Sequence, residues 1–405
     1  MSTETNARRR ETTLAADLRQ RIFRTNPDYE LVRFDQLTAE ENNRLGDLRK
    51  DPNFCGIIRP RTATGLTVKA VCDETARLLN FLTEPAPLPR FALGDVASEL
   101  IVSLVYDGIL QVAEGAEWIC GPAVCRADMP GEAGEEAGVL ANLSLQAIRH
   151  AAALETADAK ELSSCLFRYN TLPVTPRWLQ RIPDREALEQ YLQIEPGGSS
   201  RRELDRSWAR VSPEAERGVW MAWNSRSVPA PDKDLRGYKL YSSPHPSHLR
   251  ESFRPWLRAI TDAGAYHFKI GGDVRGLLRA DKMVAYFADW TALEECAGVI
   301  AREISACPAQ GVPFTAELDA GALLSWGSDP LEEDMVPDWL KRQSWRQWIC
   351  FRLGSALAIA KREKSSAMPA WQFALQRLRL EGIDVATWTL ASSSQTMPAA
   401  EVASS

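Results

Sequence analysis

The chain has 405 residues, 45% of them hydrophobic, and a formal charge of −6, enough to bury a substantial core and to divide into two domains. A negative balance whose one basic run is Arg8-Arg9-Arg10 argues against general nucleic-acid binding. No stretch approaches the ~20 apolar residues of a membrane span, and 1–13 is polar with no apolar signal core, so a cytoplasmic protein is expected.

In chain order, 1–13 and 392–405 are small and polar and are expected to be disordered. Residues 14–195 read as a mainly helical domain. Within it, 94–106 has the pattern of a helix, followed by a turn at Asp107-Gly108 and the alternating Ile109-Leu110-Gln111-Val112. A helix, turn and hairpin in this order resembles a winged helix, a shape suited to holding a peptide, and is equally a plain structural unit. Glu195-Pro196-Gly197-Gly198-Ser199-Ser200 marks a linker, so 196–235 is expected to connect to a second domain over 236–391.

That second domain predicts strands and helices in alternation. In Tyr238-Lys239-Leu240-Tyr241 the strand period of two sends Lys239 and Tyr241 to one face. In Tyr266-His267-Phe268-Lys269-Ile270 the same period pairs His267 with Lys269, and in 282–287 it pairs Lys282 with Tyr286. Between the strands, 247–263 carries Leu249, Phe253, Trp256, Leu257 and Ile260 on one helical stripe, and 291–306 carries Leu293, Cys296, Ala297, Ile300 and Ile304. With a further strand over 312–318 the order is β-α-β-β-α-β, a split sheet in an α+β fold with helices on one face. The lysine-bearing face is then free for substrate, or it simply meets water as antiparallel sheets commonly do.

Eight cysteines read as buried small side chains and not as a disulfide framework. Cys120 and Cys125 lack a second pair nearby, and His245 and His248 straddle Pro246 without matching ligands, so no metal site is expected. Gly271-Gly272 reads as a two-glycine hairpin turn. No glycine-rich phosphate loop is present, and no cofactor is expected. Eleven of the thirteen tryptophans follow position 200, pointing to a tightly packed second half or an aromatic-lined cleft. On a helix over 344–361, Arg352 falls among Trp345, Trp348, Ile349, Ala356 and Ile359. A guanidinium there needs either an internal carboxylate or an anionic ligand.

Several of these segments also carry a family resemblance. Tyr238-Lys239-Leu240-Tyr241, Phe268-Lys269, Arg279-Ala280-Asp281-Lys282-Met283-Val284-Ala285-Tyr286, Gly311-Val312-Pro313-Phe314-Thr315, Gly321, Asp329-Pro330 and Ser344-Trp345-Arg346-Gln347 with Cys350 resemble, in order and spacing, the Hop-type type III effector domain. That domain also occurs as the lyase component of class V lanthionine synthetases and of thioamitide dehydratases. The resemblance covers about 236–360. It implies β-elimination of phosphate from phosphoserine or phosphothreonine in a precursor peptide that a separate kinase has phosphorylated, in ribosomal peptide maturation. Looser relatives, the phosphothreonine lyases and the lyase domains of class III and IV lanthionine synthetases, have a Lys-x-His strand motif. Its matching positions here are Lys239 and Tyr241. Hop-type members tend to carry an arginine where this chain has Ile349.

Such an elimination needs a base for the Cα proton, a donor to developing negative charge, and cations around the departing phosphate. Lys269 is the expected base. Lys239 and Tyr241 are expected to polarise the substrate carbonyl or protonate the leaving group, and His267 stands close enough in sequence to replace the missing histidine. Arg279, Lys282, Tyr286, Arg346 and Arg352 are the phosphate-binding candidates. Two alternatives stay open: a catalytically silent subunit that holds precursor peptide or kinase, and a metal-free cyclase joining cysteine to dehydroamino acids.

Overall fold

A seven-stranded antiparallel sheet organises the second half of the chain. Its strands in spatial order are Ala316–Glu317, Leu324–Ser328, Tyr238–Ser242, Met283–Phe287, His267–Gly271, Trp220–Ser225 and Trp208–Arg210. The computed structural model describes residues 21–45, 50–62, 68–92, 95–125, 138–211, 220–232, 237–330, 344–363 and 368–390. The termini expected to be disordered lie outside the described residues.

The four middle strands form the expected β-α-β-β-α-β unit, with the fourth beside the first and the third beside the second. Its helices, Leu249–Asp262 and Trp290–Glu303, bury the predicted stripes against Leu240, Phe268, Ile270, Ala285 and Phe287 on one sheet face. Phe268 is the hub of that layer. Trp223 stacks on it at 4.8 Å between centroids, and Trp208 and Trp256 meet it edge-on at 4.6 and 5.5 Å. The buried Trp256 indole donates to Ser242 Oγ at 2.9 Å, so this aromatic packing leaves its polar group paired.

Register places the opposite face. Lys239 and His267 both pair with Tyr286, and Tyr241 and Lys269 both pair with Val284. Directly opposed residues share a face, so a one-residue slip would drive both lysines under the helices.

Two local expectations need correction. The strand expected over 312–318 survives only as Ala316–Glu317, because Phe314 has φ 64°, outside the extended region. The long partner of Tyr238–Ser242 is Leu324–Ser328, where a Cβ on Gly327 would come within 2.9 Å of the Trp345 indole. Gly271-Gly272 does not make a two-residue hairpin turn. It opens a longer connection containing the short helix Val274–Leu277, which approaches so closely that a Cβ on Gly271 would lie 2.5 Å from the Leu277 nitrogen.

The expected division at 195 and 236 does not coincide with the hydrophobic cores. One core runs from Ile182 to Trp326 and includes Trp208 and Trp223 from the supposed connector. The other joins Phe23 through Leu166 to Trp345, Leu353, Phe373 and Trp388. Thus Trp345–Ala360 packs on Ala159–Arg168, where Gly354 admits a contact that a Cβ, 2.6 Å from Ala159 O, would block.

The first half is mainly helical, as expected, and also carries two small sheets. It holds a four-stranded sheet of Ala86–Pro87, Ile22–Thr25, Leu110–Glu114 and Glu117–Ile119 and a three-stranded sheet of Tyr29–Arg33, Gly56–Pro60 and Lys69–Val71. The expected helix and hairpin are Asp95–Tyr106 and the last two strands of the first of these sheets. Among the described residues no helix is long and apolar enough to cross a membrane.

Candidate active site

On the sheet face away from its helices lies a cavity of about 360 Å³. Five parts of the fold build its wall. The sheet contributes Lys239, Tyr241, Lys269, Val284, Tyr286 and Trp220; the connection after Val274–Leu277 contributes Arg279 and Asp281. Asp329 follows Leu324–Ser328, and Ser344, Arg346 and Gln347 come from the start of Trp345–Ala360. Phe167, at the end of Ala159–Arg168, completes it from the other core.

Local structure fixes each piece. Asp273 caps the short helix by accepting from the Gly276 N–H at 2.6 Å, and the chain then delivers Arg279 and Asp281 to the rim. Ser344 and Gln347 form a capping box at the start of Trp345–Ala360. Asp329 Oδ1 accepts from the Trp345 N–H at 2.8 Å, while its other oxygen pairs with Lys239 Nζ. Helix terminus and central strand are thereby tied through one carboxylate.

Asp281 is the second tie. It takes Arg279 side-on, Nε to Oδ1 at 2.8 Å and Nη2 to Oδ2 at 3.0 Å, and Arg346 Nη1 at 2.7 Å. Burial raises its pKa, but Arg346 and Arg279 outweigh burial and hold the carboxyl well below the usual carboxylate range. Arg346 is 1% exposed. Its Nε donates to Pro313 O at 3.1 Å and its Nη2 to Phe167 O at 3.0 Å, while among the described residues Nη1 meets Asp281 as an ion pair without a hydrogen bond, so each nitrogen is engaged by the protein. It is a positioning residue for Asp281 more than a free anion contact. Arg279, with Nη1 outside the pair to Asp281, retains an edge for a ligand.

Lys269 differs from the other cations. Among the described residues its ammonium makes no hydrogen bond or ion pair, and it lies 4.3 Å from the Trp220 ring centroid and 5.9 Å from that of Tyr286. Burial, with Arg279 and Arg346 nearby, lowers its pKa below the ordinary lysine value against the pull of Asp281 and Asp329. Tyr241 is 3% exposed, and burial holds its phenol well above the ordinary value. Tyr286 is shifted upward by burial despite Lys239.

Of the residues singled out in the sequence, Lys239, Tyr241, Lys269, Arg279, Tyr286 and Arg346 meet at the cavity, and three do not. His267 shares the sheet face but turns its Nδ1 to Asn224 Oδ1 at 2.8 Å; burial and the nearby Lys269 and Lys239 push its pKa down to about 4. Lys282 precedes its strand and is fully buried 3.4 Å from Ser243 Oγ, with burial lowering its pKa to about 7. Arg352 lies six residues beyond Arg346, which on a helix is the far side. There it covers the Trp348 ring at 3.8 Å and pairs with Glu381, the internal carboxylate that one sequence alternative required. Arg352→Ala is therefore expected to cost about 1–3 kcal/mol of stability and to change affinity for phosphorylated and unphosphorylated peptides alike. Thermal melting with paired titrations checks this, and a loss confined to the phosphopeptide would contradict it.

Asp281 and Asp329 were not singled out as site residues, although both stand in segments that carry the resemblance. Trp220 and Phe167 carried no signal, because strand pairing and a helix more than 100 residues away bring them in. Four cations thus face two carboxylates, with Trp220 and Phe167 packed against the arginines at 4.9 to 5.1 Å. A partly dry cavity with this balance favours an anion and pairs it with an amine able to lose its proton.

No family model and no curated protein matches the chain. Solved structures that match include effector proteins from Pseudomonas syringae pv. tomato strain DC3000, at 14% identity and TM-score 0.35, and from pv. syringae strain 61, at 11% and 0.38. Each match covers 62% of this chain and 98% of the other. The type III effector/phosphothreonine lyase OspF from Shigella flexneri matches at 14% identity and TM-score 0.25, over 34% of this chain and 77% of its own. Likenesses with TM-scores of 0.25 to 0.38 carry no argument about activity.

Proposed function

We propose that this cavity is the active site of a phosphopeptide lyase that eliminates phosphate from phosphoserine or phosphothreonine and leaves a dehydroamino acid. The observation that carries the reading is Lys269, an amine unpaired among the described residues, on the same wall as Arg279, whose ion pair leaves a guanidinium edge open. The substrate phosphate binds that edge, with Lys239 completing the positive field. Neutral Lys269 removes the Cα proton, the electron pair forms the Cα–Cβ double bond, and the Cβ–O bond breaks. Apart from Phe167 and Trp220, the lining residues lie in the segments of sequence that resemble Hop-type lyase components. A separate kinase supplies the phosphorylated precursor, in ribosomal peptide maturation.

The test is incubation of the purified protein with a phosphothreonine peptide, followed by mass spectrometry. Loss of the elements of phosphoric acid is expected. Recovery of the plain threonine peptide, or of unchanged phosphopeptide, would contradict the proposal.

A further inference from the structure

Among the described residues the Lys269 ammonium makes no hydrogen bond or ion pair, yet a base acts only when it is held in place. We infer that the Trp220 indole holds it: the ring positions the base of the proposed elimination and steadies the ammonium that Lys269 becomes on taking the Cα proton. The inference rests on the lyase reading and adds a residue that acts through its base.

The strand ladder brings the two together. Trp220–Ser225 runs antiparallel to His267–Gly271, and the residue directly opposite Lys269 is Ala222, whose methyl offers an ammonium nothing to bind. Trp220 stands opposite Gly271, which has no side chain. Residues two apart on a strand share a face, and a diagonal pair of this kind lies within reach of an aromatic ring and a long side chain. The lysine stem leans along that diagonal until Nζ lies 4.3 Å from the Trp220 ring centroid. Tyr286 is farther, at 5.9 Å, and is shared with Lys239 at 5.1 Å.

The position of Trp220 is itself fixed. A Cβ on Gly272 would come within 2.8 Å of the Trp220 carbonyl carbon, so the chain leaving His267–Gly271 crosses the Trp220 backbone in close contact. The same connection delivers Arg279, whose guanidinium carbon lies 5.1 Å from the indole centroid. Base and phosphate contact thus share one ring, which sets their spacing.

An indole face attracts a cation through the ring quadrupole, and only the protonated amine feels that attraction. Asp281 and Asp329 also favour the ammonium, while burial, Arg279 and Arg346 oppose it. Lys239 and His267 stand on the same sheet face and add to the positive field. The ring therefore acts where positive charge appears as the Cα proton arrives.

The experiment places tryptophan and then its mono-, di- and trifluoro analogues at position 220 of the full chain, since ring fluorine weakens the quadrupole and nearly preserves shape. The Lys269 amine is titrated by trace acetylation with mass spectrometry, which needs no turnover, and elimination from a phosphothreonine peptide is followed against pH on the same samples. Each added fluorine is expected to lower the acetylation midpoint, by about one pH unit across the series. The rising limb of the rate profile should move to lower pH with it, at an unchanged melting temperature. Trp220→Leu, which fills space without a quadrupole, is expected to lower kcat by about 10- to 10²-fold, and Trp220→Phe, which keeps a ring, to stay within a few-fold of the parent. A midpoint that ignores fluorination would reduce Trp220 to packing, and a kcat for Trp220→Leu within a few-fold of the parent would remove it from positioning; either overturns the inference while the lyase reading stands. A parent that eliminates nothing overturns the lyase reading, and the acetylation midpoints still decide whether Trp220 holds Lys269.

Discussion

Lys269→Ala is expected to lower elimination by about 10²- to 10⁴-fold, the usual cost of removing a general base, while the fold melts within a few degrees of the parent. The second half follows from the surroundings of the amine: among the described residues the ammonium has no ion pair to lose, and taking a buried, unpaired charge away removes a desolvation cost. The pH dependence has a definite sign. Only the neutral amine accepts a proton, and burial lowers its pKa from 10.5, so the rate should rise with pH and level off below the point where an ordinary lysine would. Lys269→Arg keeps the positive charge and loses the neutral form. It should be as inactive as the alanine variant while binding phosphopeptide as the parent does. Rates and circular dichroism on the same samples check the prediction, and turnover within a few-fold of the parent would exclude Lys269 as base.

Asp281→Ala should damage the protein itself. Asp281 is 6% exposed and holds two guanidiniums, one of them 1% exposed. Removing it leaves Arg346 charged, buried and short of its carboxylate, a situation that typically costs about 3–5 kcal/mol. A fall in melting temperature of several degrees is expected. Arg279 is also freed from its side-on pair, so phosphopeptide turnover should drop even below the melting transition. Asp281→Asn, which keeps one acceptor oxygen and loses the charge, should fall between alanine and parent. An unchanged melting temperature for the alanine variant would show that the two arginines find other partners.

How legible the site was in the sequence depended on which periodicity carried each residue. Lys239 with Tyr241 and His267 with Lys269 follow the period of two through strands whose other face is buried, and the pattern placed them correctly. Period alone does not separate Lys269 from Lys282. Both alternate onto one face, but Lys282 lies just before Met283–Phe287, where the chain turns it into a closed pocket beside Ser243. Likewise, the helical wheel put Arg352 amid an apolar stripe without revealing that Glu381, from the end of another helix, completes it. Leu324–Ser328 escaped because it is buried on both faces and contains two serines and a glycine, which erases alternation. The two cores were hidden for a related reason. An apolar helix such as Trp345–Ala360, buried nearly all round, does not say which sheet or helix it covers.

The central claim is that phosphate leaves by cleavage at carbon, and the position of bond breaking tests it most directly. Turnover of a phosphothreonine peptide in water enriched in heavy oxygen, with mass analysis of the released inorganic phosphate, reports which bond broke. Elimination predicts phosphate carrying only the oxygens of the original ester, together with a dehydrated peptide. Phosphate that has gained a heavy oxygen from solvent, with threonine regenerated, would mean attack at phosphorus and would contradict the account.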